Sequence, residues 1–140
     1  MNGQYVQHYM LGGTSTSETL TADYADNTTG VVNVEGARDI MLYVTYAPKT
    51  GETNRVLYMQ VETGPTTSDL YLLTLEEDTA TSGTTENKTY TRSYTGAVGG
   101  TSYARSFSLG DIIAVGLRIS FKESGTADFG TVKLRILYNA

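Results

Sequence analysis

The chain has few residues that could carry out catalysis. His8 is the only histidine and no cysteine is present, so a Ser–His–Asp relay would have to use His8, and thiol chemistry is excluded. His8 lies in the segment with the weakest strand pattern, and an incidental polar residue is the better interpretation. With one histidine, a histidine-rich metal site within a single chain is also excluded.

Paired carboxylates are the catalytic route that remains open, because a glycosidase needs only two of them. Glu76, Glu77 and Asp78 adjoin each other at the end of a predicted strand, where their oxygens could instead bind a hard cation. Their spacing matches no calcium-binding loop, so a solvated acidic strand end is favoured. We expect no enzymatic activity, no cofactor and no metal. The carboxylates considered are Glu62, Glu76, Glu77, Asp78, Asp111, Glu123 and Asp128.

Two pairs of alternating runs define the secondary structure. In the segment Ile112–Ala140, one run buries Val115, Leu117, Ile119 and Phe121, and the next buries Val132, Leu134, Ile136 and Tyr138. Side chains of a strand alternate between two faces, so the segment predicts a β-hairpin with one aliphatic face. Asp39–Ala47 followed by Arg55–Thr63 predicts a second hairpin in the same way.

The whole pattern predicts an all-β protein. Threonine is the commonest residue, Tyr is frequent, and turn formers recur every eight to twelve residues. We expect one antiparallel β-sandwich of about eight to ten strands, jelly-roll-like, over residues 18–140. Residues 1–17, which are polar and rich in Gly and Ser, are expected to form a flexible N-terminal arm or an edge strand.

Four of the ten basic residues gather in the last predicted hairpin, on its polar face. Like charges on neighbouring strands repel each other, so they need acidic groups nearby. Either Glu62 or Glu76 on an adjacent strand supplies these groups, or a partner does, including another copy of the chain. The four residues, which we take as candidate partner contacts, are Arg118, Lys122, Lys133 and Arg135.

A second candidate contact is the strand face that carries Tyr90, Arg92 and Tyr94, between two Gly/Thr-rich loops. Aromatic residues on an exposed face can anchor a protein interface or stack on sugars. Tyr90 and Tyr94 with Tyr103 would form the sugar platform, which the absence of Trp weakens. A carbohydrate-binding module is therefore the alternative function.

Charge and hydropathy restrict the partners. A net charge of -5 argues against general nucleic-acid binding, and no apolar run approaches a membrane span. The N-terminal residues lack the pattern of a signal peptide, so we expect a protein that is made in the cytoplasm and either stays where it is made or leaves by assembly or lysis. Asn27-Thr-Thr29 and Asn87-Lys-Thr89 fit the N-glycosylation pattern, but chance matches are expected in a Thr-rich chain.

From Ile40 to its end, the chain resembles small β-sandwich proteins of bacteriophage virions, including capsid decoration and head or tail accessory proteins. The resemblance lies in NRVLYMQVET (Asn54–Thr63), in the Thr/Gly-rich middle loops and in RISFKESGTADFGTVKLRILYN (Arg118–Asn139). It implies a non-catalytic structural protein of the virion that forms homo-oligomers or binds other virion proteins. It assigns no functional residues.

Overall fold

The computed structural model describes residues 5–9, 17–52, 55–73, 90–93, 102–110 and 113–139. They form ten β-strands and one short 3₁₀ turn, Tyr24–Asp26, so the predicted all-β class is confirmed. The strands are β1 Tyr5–Tyr9, β2 Glu18–Thr19, β3 Val32–Asn33, β4 Arg38–Ala47, β5 Val56–Thr66, β6 Asp69–Leu72, β7 Tyr90–Ser93, β8 Tyr103–Gly110, β9 Gly116–Glu123 and β10 Thr131–Asn139. No helix in this part of the chain is long and apolar enough to span a membrane.

The strands form two antiparallel sheets. The first sheet has the order β1-β10-β4-β8, and β2 also pairs with β10. The second sheet has the order β3-β9-β5-β6, and β7 also pairs with β5. Since β1 and β2 share one edge of β10, and β6 and β7 share one edge of β5, each pair occupies a single position in its sheet.

If β1 and β2 count as one position and β6 and β7 as another, the sheets have eight positions, which we number along the chain. The first sheet then has the order 1-8-3-6 and the second 2-7-4-5. This is the jelly-roll arrangement, in which the chain passes repeatedly from one sheet to the other. The expected jelly-roll-like sandwich is therefore confirmed.

The core lies between the sheets and is built from the apolar faces that the alternation predicts. Ile40, Leu42, Val44 and Tyr46 are at most 2% exposed, and Leu57, Met59 and Val61 are also buried. Leu117, Ile119 and Phe121 of β9 face Val132, Leu134 and Ile136 of β10 across this core.

Both predicted hairpins are wrong. β4 pairs with β10 and β8, whereas β5 pairs with β6, β7 and β9. Likewise β9 belongs to the second sheet and β10 to the first. Alternation shows that a strand is buried on one face, but two strands that pack face to face show the same pattern as two that are hydrogen-bonded.

The mostly apolar run Leu70–Glu76 has the composition of a strand buried on both faces, but its described part, Leu70–Leu73, is not buried in this way. Here β6 is a short strand at the edge of the second sheet, and Tyr71 is 63% exposed. An edge strand lacks the neighbour that would cover it, so its apolar composition does not place it in the core.

A buried hydrogen bond joins the two sheets. The Tyr46 hydroxyl of the first sheet donates to Glu123 Oε2 of the second, and both side chains are at most 2% exposed. The other carboxylate oxygen, Oε1, accepts from the Gly130 amide at 2.8 Å. A buried carboxylate is tolerated when donors surround it, and here the donors come from the opposite sheet and from the β9–β10 connection.

The β4–β5 and β9–β10 connections cross between the sheets side by side, and Arg55 holds them together. Its guanidinium donates to the carbonyl oxygens of Ser124 and Ala127, the latter at 2.8 Å, and pairs with Glu52 at 3.1 Å. Gly125 is needed at this point, because it has φ +108° and a Cβ there would overlap the Arg55 guanidinium. The two crossings therefore form one packed unit.

We expect Tyr46→Phe to lower the free energy of unfolding by about 1–3 kcal/mol, because Glu123 would lose a buried donor. Tyr43→Phe is the matched control, since Tyr43 lies on the same strand and is 41% exposed. Urea denaturation of both variants measures the difference. Equal stability of the two variants would contradict the role of the cross-sheet bond.

Candidate binding surfaces on the outer faces

The four basic residues of the last segment do not form one cluster. Arg118 and Lys122 are on β9 of the second sheet, and Lys133 and Arg135 are on β10 of the first. Each pair is out of phase with the buried apolar side chains of its strand, so the two pairs lie on opposite outer faces of the sandwich. The expected single basic face is therefore corrected to two.

Arg118 is neutralised within the second sheet. Its guanidinium donates from Nε to Glu62 Oε1 at 2.9 Å and from Nη2 to Glu62 Oε2 at 2.8 Å. The two residues are directly opposite on β9 and β5. This hydrogen-bonded pairing raises the pKa of the Arg118 guanidinium, and burial opposes part of the rise. Of the two origins considered for its acidic partner, the intramolecular one with Glu62 is the one observed.

Lys122 is also engaged on that face. Its ammonium lies 4.7 Å from the centre of the Tyr24 ring and 5.2 Å from that of Tyr58, within the range of a cation–π interaction. Tyr24 belongs to the 3₁₀ turn, which packs on β9. Next to it, the Ser120 hydroxyl donates to Thr28 Oγ1 at 3.0 Å. The segment 24–29 thus covers part of the second sheet.

The outer face of the first sheet carries a groove of different character. It runs across β10, β4 and β8, and Tyr43 stands 41% exposed in it. Lys133 is paired with Thr45 and Arg135 with Tyr43 across β10 and β4, while Ser106 is paired with Tyr43 across β4 and β8. The lining consists of Tyr43, Val44, Thr45, Ala104, Arg105, Ser106, Lys133, Arg135 and Leu137. Among these described lining residues, three are cationic and none is acidic.

Arg105 reaches this groove from an unexpected position. It is paired with buried Val44, so it is in phase with the inner face, yet it is exposed. β8 is at the edge of the first sheet, and an inward-phased charge on an edge strand is a known protection against edge-to-edge pairing. Its Nη1 donates to the Ala104 carbonyl oxygen at 3.0 Å.

The sequence did not single out Arg105 or Tyr43 as groove residues. Arg105 lies in the short strand β8, where the alternation of side chains would place it on the same face as the core residues. Tyr43 alternates with the core residues Leu42 and Val44, which is a usable signal for exposure, but only the pairing with β10 places it beside Arg135.

The tyrosines have several roles. Tyr46 and Tyr138 are in the core, Tyr103 packs against it, and Tyr71 is exposed on β6. Because β7 joins the second sheet and β8 the first, Tyr90 and Tyr103 belong to different sheets. Tyr90 and Arg92 lie on β7, and Tyr94 lies outside the described residues.

The predicted carboxylate candidates are dispersed where the structure describes them. Glu62 pairs with Arg118, Glu123 is buried with Tyr46, and Asp128 pairs with Lys49 at 3.0 Å. Within the described ranges, no group of three or more Asp, Glu or His side chains is arranged to hold a metal ion. Glu76, Glu77, Asp78 and Asp111 fall outside them.

Asn27 has a structural role. It is 1% exposed, and its Nδ2 donates to Glu18 Oε1 at 3.0 Å and to the Thr19 carbonyl oxygen at 2.9 Å. An amide nitrogen buried in this way is inaccessible to glycosylation in the folded chain. The pattern around Asn87 lies outside the described residues.

The fold and these surfaces define a jelly-roll sandwich with one outer face partly covered by the segment 24–29 and one outer face that carries a groove. A scan with family models and a search of curated protein sequences find no match.

Among solved structures, the chain is similar to part of a chain in the structure of infectious bursal disease virus strain Gx, with a TM-score of 0.46 and 12% identity. The alignment covers 99% of this chain and 33% of that one. For strain Gt the TM-score is 0.43 at 12% identity, with 98% and 33% covered. For a mutant VP2 protein of the same virus in derived T=1 particles it is 0.40 at 11%, with 97% and 36% covered. The chain thus spans about a third of the chains it matches, and similarities this distant carry no argument about function.

We expect Glu62→Gln to lower the free energy of unfolding by at most about 1 kcal/mol, because the pair with Arg118 is partly exposed. The loss should shrink in about 1 M salt, which screens the pair. Because the pKa of the Arg118 guanidinium is raised, the guanidinium's own contribution to stability is present below its unfolded-state pKa and is lost as the pH rises through its folded-state pKa.

Urea denaturation at two salt concentrations tests this expectation. Glu35→Gln, at an exposed carboxylate before Gly36, is the control. An equal, salt-independent loss in both variants would contradict it.

Proposed function

We propose that this chain is a non-catalytic structural protein of a viral particle, acting through protein–protein contacts. In its narrower form the proposal is a bacteriophage capsid decoration or head or tail accessory protein, located in the virion. The observation that carries the broad form is the jelly-roll strand order, because jelly rolls recur in viral capsid domains. The narrower form rests on the sequence resemblance of residues 40–140 to bacteriophage virion proteins.

The groove of the first sheet supports a role in protein contacts. Tyr and Arg are enriched at protein interfaces, because each combines apolar area with polar groups that orient the partner. Tyr43 and Arg135 place both kinds of side chain on the outer face, and Arg105 lines the groove from the edge strand β8. Of the four basic candidates, Lys133 and Arg135 line this groove and are proposed for partner contact, while Arg118 pairs with Glu62 and Lys122 lies against Tyr24. Tyr90, Arg92 and Tyr94 remain a proposed second contact.

Jelly rolls also occur in lectins, so the exposed Tyr43 ring makes a carbohydrate-binding module the second candidate. In that function Tyr43 would stack on a sugar ring, and Arg135 would bond its hydroxyls. The sugar platform of Tyr90, Tyr94 and Tyr103 is not retained, because Tyr103 packs against the core.

We expect the chain to sediment with viral particles in a density gradient of lysates from cells that produce them. Quantitative mass spectrometry should give a fixed ratio to the major particle protein. The Tyr43→Ala variant separates the two functions, since a lectin would lose retention on immobilised glycans and a structural protein shows none in either form. Absence from particles, together with Tyr43-dependent glycan retention, would overturn the structural role.

A further inference from the structure

A groove distinct from that of the first sheet lies where β9 begins, beside the paired residues Gly64 of β5 and Gly116 of β9. Backbone hydrogen bonds join its walls. The Val34 amide donates to the Val115 carbonyl oxygen at 2.8 Å, and the Val115 amide donates to that of Gly64 at 2.9 Å. We call this surface the end groove, and its lining residues are Glu35, Gly36, Thr63, Gly64, Pro65, Tyr71, Ile113, Ala114 and Val115.

The hairpin of β5 and β6 fixes the position of Tyr71 at the end groove. Tyr71 is paired with Thr63 across the hairpin, and its hydroxyl donates to Asp69 Oδ2 at 3.4 Å. Gly64 is required next to this pair, because a Cβ there would overlap the Asp69 carbonyl oxygen. The exposed ring and the Asp69 carboxylate therefore lie side by side on a closely packed hairpin, and an ordered ring loses less entropy on binding than a mobile one.

The end groove gathers exposed apolar side chains. In the described part of the chain, four large apolar residues are exposed, and two of them, Tyr71 and Ile113, line this groove. Pro65 adds further apolar surface, and it is exposed as well. Isolated apolar residues on a surface need no explanation, whereas a group of them around one concave site indicates that a ligand or partner covers it.

The charge at the end groove is negative. Among its described lining residues Glu35 is acidic and none is basic, and Asp69 adds a second carboxylate beside Tyr71. The Glu35 side chain is exposed, and no described residue forms a hydrogen bond or an ion pair with its carboxylate. An uncompensated carboxylate next to apolar surface favours a partner group that combines a positive charge with an apolar body.

The outer face of the second sheet shows which group of this kind its tyrosines and carboxylates take. There Lys122 lies over two tyrosine rings, and Arg118 pairs with the carboxylate opposite it on β5. Among the described residues, none supplies a cation to the Tyr71 ring or to Glu35. A Lys or Arg side chain suits both groups, because its aliphatic stem packs on apolar surface while its charged head binds an aromatic ring and a carboxylate.

We propose that the end groove binds a Lys or Arg side chain of a partner protein. The aliphatic stem packs on Tyr71 and Ile113, and the charged head lies at the Glu35 carboxylate. The inference rests on the proposed function, which is contact with other proteins of the particle, and it names the chemistry that one such contact recognises.

Short peptides test this contact. Each is an acetylated and amidated pentapeptide in which glycines flank one central residue, which is Lys, Arg, norleucine or Glu. We expect the Lys and Arg peptides to shift the amide signals of Gly36, Gly64 and Tyr71 in NMR titrations of the isotope-labelled chain, with Kd on the order of 1 mM. Norleucine has the stem without the charge, so its peptide should bind at least about twofold more weakly. The Glu peptide should leave the signals unchanged, and raising the salt to about 0.5 M should weaken binding of the basic peptides.

Variants of the groove separate the two contributions. Glu35→Gln should weaken binding of the Lys peptide about two- to fivefold, which is the range for an exposed ion pair. Tyr71→Ala should weaken it by a similar factor, about two- to fivefold, whereas Tyr71→Phe keeps the ring and should bind like the wild-type chain. Asp128→Asn is the matched control for charge, because it removes an exposed carboxylate that does not line the groove. Circular dichroism verifies that each variant is folded.

Equal binding of the Lys and norleucine peptides would overturn the proposal, as would basic peptides that shift none of these signals or that bind Glu35→Gln and Tyr71→Ala unchanged. Shifts of the same signals by maltose and by no basic peptide would overturn it in favour of a carbohydrate. These results leave the proposed function intact, because association with particles is measured separately. Peptide binding by a chain that is absent from particles would instead retain the site and overturn the proposed function.

Discussion

The hydrogen bond between Tyr46 and Glu123 is the constraint on which the arrangement of the sheets depends. A carboxylate enclosed by apolar side chains must find its donors inside the protein, and here they come from the opposite sheet and from the backbone at Gly130. These hydrogen bonds to Glu123 fix β9 against β4 at the end of the sandwich where the β4–β5 and β9–β10 connections cross between the sheets. A one-residue slip of β9 would expose Glu123 and turn Lys122 inward, at the cost of a buried ammonium group.

With that register fixed, the two outer faces acquire different characters. On the second sheet the cations meet groups within the chain, because Glu62 is opposite Arg118 and Tyr24 folds over Lys122. On the first sheet the rows of Lys133 and Arg135 lie beside Thr45 and Tyr43, which carry no negative charge. The same alternation of residue types thus yields two outer faces whose cations lie in different surroundings.

The sequence predicted the buried faces well, because burial leaves a period-two signature in each strand. Leu117, Ile119 and Phe121 are in the core as predicted, and Glu123 in phase with them was a readable sign of a buried carboxylate. Pairing was not predictable, because it depends on which strands meet after the chain crosses between sheets. This single gap produced both wrong hairpins, merged Arg118 and Arg135 into one cluster, and hid the groove beside Tyr43.

The pairing of β1 with β10 has a consequence for how the chain folds. Tyr5 is paired with Asn139 and Tyr9 with Arg135, so this ladder joins segments more than a hundred residues apart. The long strands β4 and β5 are neighbours in the sequence but belong to different sheets and do not pair. Little of the native hydrogen bonding can therefore form between segments that are close in the sequence. The chain must lose the entropy of long loops before it gains the energy of the contacts that these loops allow. Proteins of such high contact order fold slowly, with folding times on the order of milliseconds to seconds.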